Sequence, residues 1–163
     1  MAIFVVIGAG VLTALVHLAV RGFDVSTVDL LRILLLHQFV VTHGIIAAIG
    51  FVTNVLTPER TARQLGWPGG PFQIKYGFSQ LGLGVMGALC IVLQGQFWAA
   101  MLITMYIYGA SGLWTHTLEV RRKHRETGRW DRIEISNMVL DVVYHVVLTV
   151  MSLQIPGVWE VGR

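Results

Sequence analysis

The strongest constraint on the fold is a series of apolar stretches separated by short polar segments. They cover residues 2–20, 30–56, 74–93, 97–118 and 135–155. A helix needs about 20 mostly apolar residues to cross a bilayer, and each stretch approaches that length. Only 13% of the residues are charged, about half the share of an average soluble domain, and the mean hydropathy is +0.68. The sequence therefore predicts an all-α integral membrane bundle of five transmembrane helices, one transmembrane domain over residues 1–163.

Composition also excludes several classes of function. Cys90 is the single cysteine, so an intrachain disulfide, a zinc ribbon and an iron–sulfur cluster are excluded. The basic residues lack the interleaved aromatic residues of a nucleic-acid groove, so no nucleic-acid partner is expected. The first stretch has no lysine or arginine before its apolar core, which favours a retained helix over a signal peptide.

The basic residues predict the orientation. They concentrate in the segment after the second stretch and in the segment after the fourth: Arg60, Arg63 and Lys75, then Arg121, Arg122, Lys123, Arg125, Arg129 and Arg132. The other side would hold only Arg21, Arg32 and Arg163. Because short cytoplasmic loops carry the excess of lysine and arginine, we expect a cytoplasmic N-terminus, an external C-terminus and the cell inner membrane.

A short interfacial helix is expected between the second and third spans, over residues 57–66. Thr57 can cap it, Pro58 suits the first helical position and Gly66 can end it. The Pro- and Gly-rich residues 67–72 then break the chain before the third span.

The fifth stretch carries one polar stripe on an otherwise apolar helix. It consists of Glu134, Asn137, Asp141, His145, Thr149 and Ser152. At about 100° per residue these positions from Asn137 onward fall within an arc of roughly 120°. Since such a stripe is incompatible with acyl chains, it must face protein or water.

Matching stripes occur on the second, third and fourth stretches. They are His43, Ala47, Gly50 and Asn54 on the second; Gln73, Gly77, Gln80, Gly84 and Gly87 on the third; and Thr104, Tyr108, Ser111 and Thr115 on the fourth, with Gly112 and His116 on an adjoining face. Their expected depths predict a polar pocket that opens toward the cytoplasm, with Tyr76 and Tyr108 at its walls. Its candidate ligand-binding or proton-relay residues are Asp141, His116, Asn137, His145, Gln80, Gln73 and His43. Asp141 and His116 are the expected carboxylate–imidazole pair.

The same residues have other interpretations. Amides and hydroxyls in small membrane proteins often only join helices, which is the simplest reading of Thr104, Ser111 and Thr115. A buried Asp141 requires a partner, a proton or water, and a structural pair with His116 would satisfy it. A b-type haem would need axial histidines, for which His43 and His145 are the mid-depth pair. A metal site of Asp141, His145 and His116 lacks a supporting HExxH or paired ExxH motif, so no metal is expected.

Three sequence segments carry a resemblance to known proteins. They are Gly66-Trp67-Pro68-Gly69-Gly70-Pro71-Phe72-Gln73 followed by Gly77, Gly109-Ala110-Ser111-Gly112 before His116, and Asn137 with Asp141. Over about residues 35–155 the chain resembles a family of small, uncharacterised bacterial multi-pass membrane proteins, a domain of unknown function. It departs from that pattern at Lys75, where an acid is expected, and at Asn54, where histidine is more usual.

The chain is also distantly similar to the DoxX-like four-helix membrane proteins. Some of those are similar to subunits of quinone-linked oxidoreductases, so the likeness implies a redox-associated role.

Three functions are consistent with these features. The leading hypothesis is an accessory or structural protein, because the loops are short and a complete catalytic set is lacking; its partners would be the bilayer and other membrane subunits or copies of itself. The alternative is a binding or proton-relay protein for a quinone or other lipid-soluble ligand. A small transporter is the second alternative, although the strong Pro/Gly break at residues 66–71 lies at the membrane edge rather than at mid-depth.

Overall fold

Helices make up the whole regular structure of the described residues, 2–65 and 69–160 in a computed structural model. No strand occurs in these two ranges, which confirms the all-α class. The helices are α1 (Ala2–Val20), α2 (Thr27–Leu56), α3 (Pro58–Leu65), α4 (Pro71–Leu89), α5 (Gln96–Thr127) and α6 (Arg132–Leu153). The Gly66–Pro68 part of the Gly-Trp-Pro motif and the expected end of α3 at Gly66 lie outside the described residues.

Three of these described helices are long and apolar enough to cross a membrane. They are α2 with 30 residues, α5 with 32 and α6 with 22. Within α1, residues Phe4–Val20 form a shorter apolar helical segment. α4 has 19 residues but includes Gln73, Lys75 and Gln80, which make it less apolar.

The structure extends one predicted helix considerably. α5 was expected to end at residue 118, yet it continues to Thr127. Arg122 holds Glu119 and Glu126 on successive turns, with nitrogen–oxygen distances of 2.6 and 3.0 Å. Gly128 then ends the helix in the left-handed region, at φ +69°. Ion pairs at these spacings stabilise a helix in water, so a charged sequence does not mark its end.

α2 is one continuous helix that contains two π-helical segments, Gln38–Thr42 and Val52–Leu56. Ser26 caps its start, where its Oγ accepts a hydrogen bond from the Asp29 N–H at 3.1 Å. π segments inside α-helices are rare and are frequent at functional sites. The first of these segments ends directly before His43.

Consecutive long helices run antiparallel; short turns follow α1, α4 and α5, and α3 lies between α2 and α4. α2 lies at the centre and contacts α1, α4 and α6, while α5 closes the bundle between α4 and α6. The main core is formed by α2, the α4–α5 turn, α5 and α6 and includes Leu35, Phe39, Cys90, Trp98, Met101, Leu102, Met105 and Leu148. Hence α2, α4, α5 and α6 form a four-helix core, with α1 packed outside it against α2.

Glycines bring α4 close to α2. A Cβ at Gly84 would lie 2.6 Å from the Cβ of Ala47, and one at Gly87 would clash with the backbone carbonyl oxygen of Phe39. Larger side chains would force the two backbones apart at these positions. The predicted glycine stripe therefore forms the α2–α4 interface.

Candidate functional site

A cavity of about 280 Å³ lies between the four core helices. It extends from the middle of the bundle toward the end that holds α3 and the α5–α6 turn. Six of the predicted candidates line it, namely His43, Gln80, His116, Asn137, Asp141 and His145, together with Tyr76 and Tyr108. α2, α4, α5 and α6 each contribute to this lining, so the cavity is a property of the whole bundle.

Gln73 is the predicted candidate that does not line this cavity. Its side chain is buried, and its Nε2 donates a hydrogen bond to the backbone oxygen of Pro58 at 2.8 Å. The bond joins the start of α4 to the start of α3. Gln73 therefore stabilises the connection between these helices and lies outside the lining of this cavity.

Asp141 and His145 form the polar centre of the cavity. They lie one turn apart on α6, and the His145 Nδ1 is 3.5 Å from the Asp141 Oδ1. The same nitrogen donates to the backbone oxygen of Asp141 at 2.7 Å. The His145 side chain is 16% exposed and the Asp141 side chain is 32% exposed. At 3.5 Å the imidazole and the carboxylate are close neighbours without a direct hydrogen bond, because the Nδ1 proton is donated to the backbone oxygen.

The predicted pair of Asp141 and His116 is wrong, because the His116 Nδ1 pairs with a carboxylate oxygen of Glu134. Gly109 lies opposite His145 and Lys123 opposite Asp131 across the antiparallel α5–α6 seam. This register places His116 between the levels of Asp141 and Glu134, and its ring bonds to the latter. The His116 side chain is 53% exposed, so the pair lies at the open edge of the cavity.

His43 is positioned by the first π segment of α2. Its Nδ1 donates to the backbone oxygen of Gln38 at 2.9 Å, and its ring stacks on Tyr144 with centroids 5.9 Å apart. The Tyr144 hydroxyl in turn donates to the Gln38 Oε1 at 3.0 Å. Because the Nδ1 atoms of His43 and His145 both donate to carbonyl oxygens, each ring, when neutral, keeps its Nε2 as a hydrogen-bond acceptor.

A second cavity, of about 260 Å³, lies along the α5–α6 seam. It shares Gly109, Leu113, Asp141 and His145 with the first cavity and is otherwise lined by Tyr106, Ala110, Val142, Val146 and Thr149. Val142 and Val146 are among the exposed residues of α6. This seam groove therefore connects the polar centre to the apolar outer surface of the bundle.

Gly109 makes this connection possible. A Cβ at this position would lie 2.9 Å from the His145 Cε1 and 3.5 Å from the Asp141 Oδ2. Sequence reasoning missed both the role of Gly109 and the seam groove. The available signal was the small pair Gly109 and Ala110 on α5, which only the register shows to lie opposite the polar stripe.

Hydroxyl groups on α5 join helices less than expected. Thr104, Ser111 and Thr115 donate to backbone oxygens of their own helix. By contrast, Tyr106 and Thr149 share a hydrogen bond of 2.6 Å across the seam. The seam is therefore held above the cavity by this pair and below it by His116 and Glu134.

Charged groups fix the turn below the cavity. The Asp131 Oδ1 accepts the Glu134 N–H at 3.1 Å, and its Oδ2 lies 3.2 Å from the Lys123 Nζ. The backbone hydrogen bond, followed by the bond to Lys123, lowers the pKa of the Asp131 carboxyl. This capped turn holds the first residues of α6, including Glu134.

The described residues contain no group of three or more His, Cys, Asp or Glu side chains that could hold a metal ion. Their arrangement instead offers hydrogen-bonding and proton-accepting groups in a partly apolar space.

Together these features describe an all-helical bundle with membrane-length helices and a polar cavity between them. The chain belongs to the family of unknown function DUF6790, whose model matches residues 1–154. This confirms the resemblance to an uncharacterised family, while a relation to DoxX-like proteins is not shown. The searches of the curated proteins and of the solved structures found no match.

Proposed function

We propose that the central cavity binds a small lipid-soluble ligand with a polar headgroup, of the quinone class, which enters through the seam groove. The observation that carries the proposal is the pair of cavities that meet at Asp141 and His145. One carries polar side chains from four helices, and the other reaches the apolar surface. A ligand that is dissolved in the bilayer needs both features.

The volume and lining of the cavity suit a headgroup rather than a large cofactor. About 280 Å³ is near the lower end of ordinary ligand sites. The Asn137 amide and the Tyr108 hydroxyl can donate hydrogen bonds to ligand oxygens. Asp141 and His145 would accept or deliver the proton that accompanies a change in the ligand's charge.

We also propose that the chain crosses the inner membrane five times, with a cytoplasmic N-terminus and an external C-terminus. α4 packs between α2 and α5, so it must pass through the same layer as those two helices. The basic residues of α3, the start of α4 and the α5–α6 turn all lie at one end of the bundle. That distribution supports a cytoplasmic position for this end, toward which the cavity opens.

The ligand proposal is tested by titrating the full-length protein in lipid nanodiscs with a decyl-substituted quinone in its reduced quinol form, whose hydroxyl groups can donate to the Asp141 carboxylate. Asp141→Asn should weaken binding about 10- to 100-fold, since a hydrogen bond to a charged group contributes roughly 1.5–3 kcal/mol. Asp24→Asn, in the exposed α1–α2 turn, is the matched control and should bind as the unmodified protein does. Equal binding by both variants, or none by the unmodified protein, would contradict the proposal.

An accessory role in a larger complex or a homo-oligomer remains a prediction from the short loops. Purification from native membranes in mild detergent tests it, and a monomer without partners would contradict it. The transporter alternative called for helices interrupted at mid-depth, whereas α2 continues through its π segments.

A further inference from the structure

A third cavity, of about 240 Å³, lies at the opposite end of the bundle, beside the α1–α2 turn. Its polar lining comes from His17 and Arg21 on one side, Asp29 and Arg32 on the other, and Gln94 from the α4–α5 turn. We propose that this cavity binds a singly charged phosphate group, either the phosphodiester of a lipid headgroup or free dihydrogen phosphate. The proposal is independent of the ligand site in the bundle centre.

The charge of the lining favours an anion. Arg21 and Arg32 are the lysine and arginine residues that the described chain places at this end, and both line the same cavity. Asp29 offsets one of these charges, which leaves a net charge of about +1. A phosphodiester carries a single negative charge, so it would balance the cavity.

Arg32 retains capacity for a further partner. Its Nη1 is 3.9 Å from the Asp29 Oδ1, a long ion pair between side chains that are 41% and 43% exposed. Asp29 is also held by Ser26, whose Oγ donates to its Oδ2 at 2.7 Å. Because a guanidinium carries five N–H donors in a planar fork, Arg32 can donate to a phosphate while it keeps this contact.

A chain of hydrogen bonds orients His17. The Thr13 hydroxyl donates to the Ala9 backbone oxygen at 3.0 Å, so it accepts from the His37 Nδ1 at 2.9 Å. The neutral His37 ring then has an acceptor at Nε2, to which the His17 Nδ1 donates at 3.1 Å. The His17 ring, when neutral, therefore carries an acceptor at Nε2, so the donors for an anion come from Arg21 and Arg32.

Trp98 forms an apolar wall of the cavity. Its Nε1 donates to the Cys90 backbone oxygen at 3.0 Å, and its side chain is buried. A tryptophan beside arginines is typical of the level where lipid headgroups meet the hydrocarbon. The cavity thus offers cationic donors together with an apolar side that suits the chain of a phospholipid.

The test uses the full-length protein in a mild non-ionic detergent, with binding followed by isothermal titration calorimetry. The probes are short-chain dihexanoyl phosphatidylglycerol, inorganic phosphate and uncharged dihexanoylglycerol. Arg21→Gln and Arg32→Gln should each weaken phosphatidylglycerol binding about fivefold, the effect expected for one arginine near a membrane surface. Arg121→Gln, an exposed arginine at the other end of the bundle, is the matched control and should leave binding unchanged.

Asp29→Asn tests whether the net charge of the cavity governs binding, because this substitution makes the cavity more positive. Removal of this carboxylate should strengthen phosphatidylglycerol binding about fivefold, a gain that a misfolded variant would not produce. If Arg32→Gln fails to fold, Arg21→Gln and Asp29→Asn decide the question.

The probes distinguish the two sources of the phosphate group. If phosphatidylglycerol binds and inorganic phosphate does not compete with it, the ligand is a lipid headgroup. If inorganic phosphate binds equally well, the ligand is the free ion. Both results support the site. Binding of dihexanoylglycerol as tight as that of phosphatidylglycerol would overturn it. So would an equal effect of Arg121→Gln and Arg21→Gln, or no binding of either phosphate probe.

Discussion

The α2–α4 interface and the α5–α6 seam begin from similar sequence patterns but have opposite structures. Each combines glycines with polar residues at helical spacing. At the α2–α4 interface, Gly77, Gly84 and Gly87 face Val55, Ala47 and Phe39, so the backbones touch. At the seam, Gly109 faces the His145 ring, and cavities lie on either side of that contact.

The difference shows what decides whether an intramembrane polar residue is structural. At the start of α4, Gln73 is buried and its Nε2 is bonded to the Pro58 backbone oxygen of α3. Near the seam, Asp141 and His145 are only partly buried and line open space. A polar residue joins helices where the backbones close around it, and it remains available to a ligand where they do not.

The largest expected effect on stability comes from substituting a glycine of α4. Gly87→Ala should destabilise the protein by about 1–3 kcal/mol, because its Cβ would meet the fixed carbonyl oxygen of Phe39. Gly82→Ala on the same helix meets nothing within 4 Å and should be neutral or stabilising by up to about 1 kcal/mol. Unfolding in a denaturing detergent measures both, and equal stability of the two variants would remove the distinction between the regions.

The seam predicts a different response to the same substitution. Gly109→Ala would press on the His145 ring, which can rotate away, so stability should change by less than about 1 kcal/mol. Affinity for the quinone probe should fall about two- to tenfold, since the ring would leave its preferred rotamer. A large loss of stability with unchanged affinity would show that the seam is packed like the α2–α4 interface.

Substitutions of two buried glutamines of α4 test where the ligand site ends. Gln73→Leu should cost about 0.5–1.5 kcal/mol of stability through its lost hydrogen bond and leave quinone affinity unchanged. Gln80→Leu, which alters the cavity lining, should weaken quinone binding. If Gln73→Leu abolishes binding in a protein that still folds, the cavity extends further toward α3 than described.

The smallest effect concerns the turn that anchors the seam. The pKa of Asp131 is lowered from 3.8 by the Glu134 N–H and by Lys123, so the unfolded chain binds more protons just below that pH. The stabilisation is therefore present above pH 3.8 and lost as the pH falls through the lowered value. Asp131→Asn should therefore lose less unfolding free energy at acid pH than the unmodified protein does. An equal loss in both proteins would contradict the proposed role of Asp131 as a helix cap.

Much of the helical architecture follows from local sequence. Apolar stretches of about 20 residues have few alternatives to a helix, and α1 spans the predicted residues 2–20. The end of α5 was mispredicted because ion pairs around Arg122 extend a helix beyond an apolar segment. Likewise, the π segments of α2 follow no residue pattern that periodicity reports.

Periodicity placed six candidate residues on faces that meet at one cavity, but it did not predict their partners. His116 bonds to Glu134 because of a register that depends on the α5–α6 turn and on the packing of all four core helices. Gln73 shares a face with Gln80 yet lies beyond the cavity, where α3 covers it.

The sequence by itself determined the helical class, the polar stripe of α6 and the glycine stripe of α4, since each depends on residues a few positions apart. Only the tertiary structure decided which glycines close an interface, which carboxylate pairs with His116 and where space remains. Those outcomes depend on the separation and register of helices distant in sequence, and a shift of one turn, about 5.4 Å, would replace every partner across the seam.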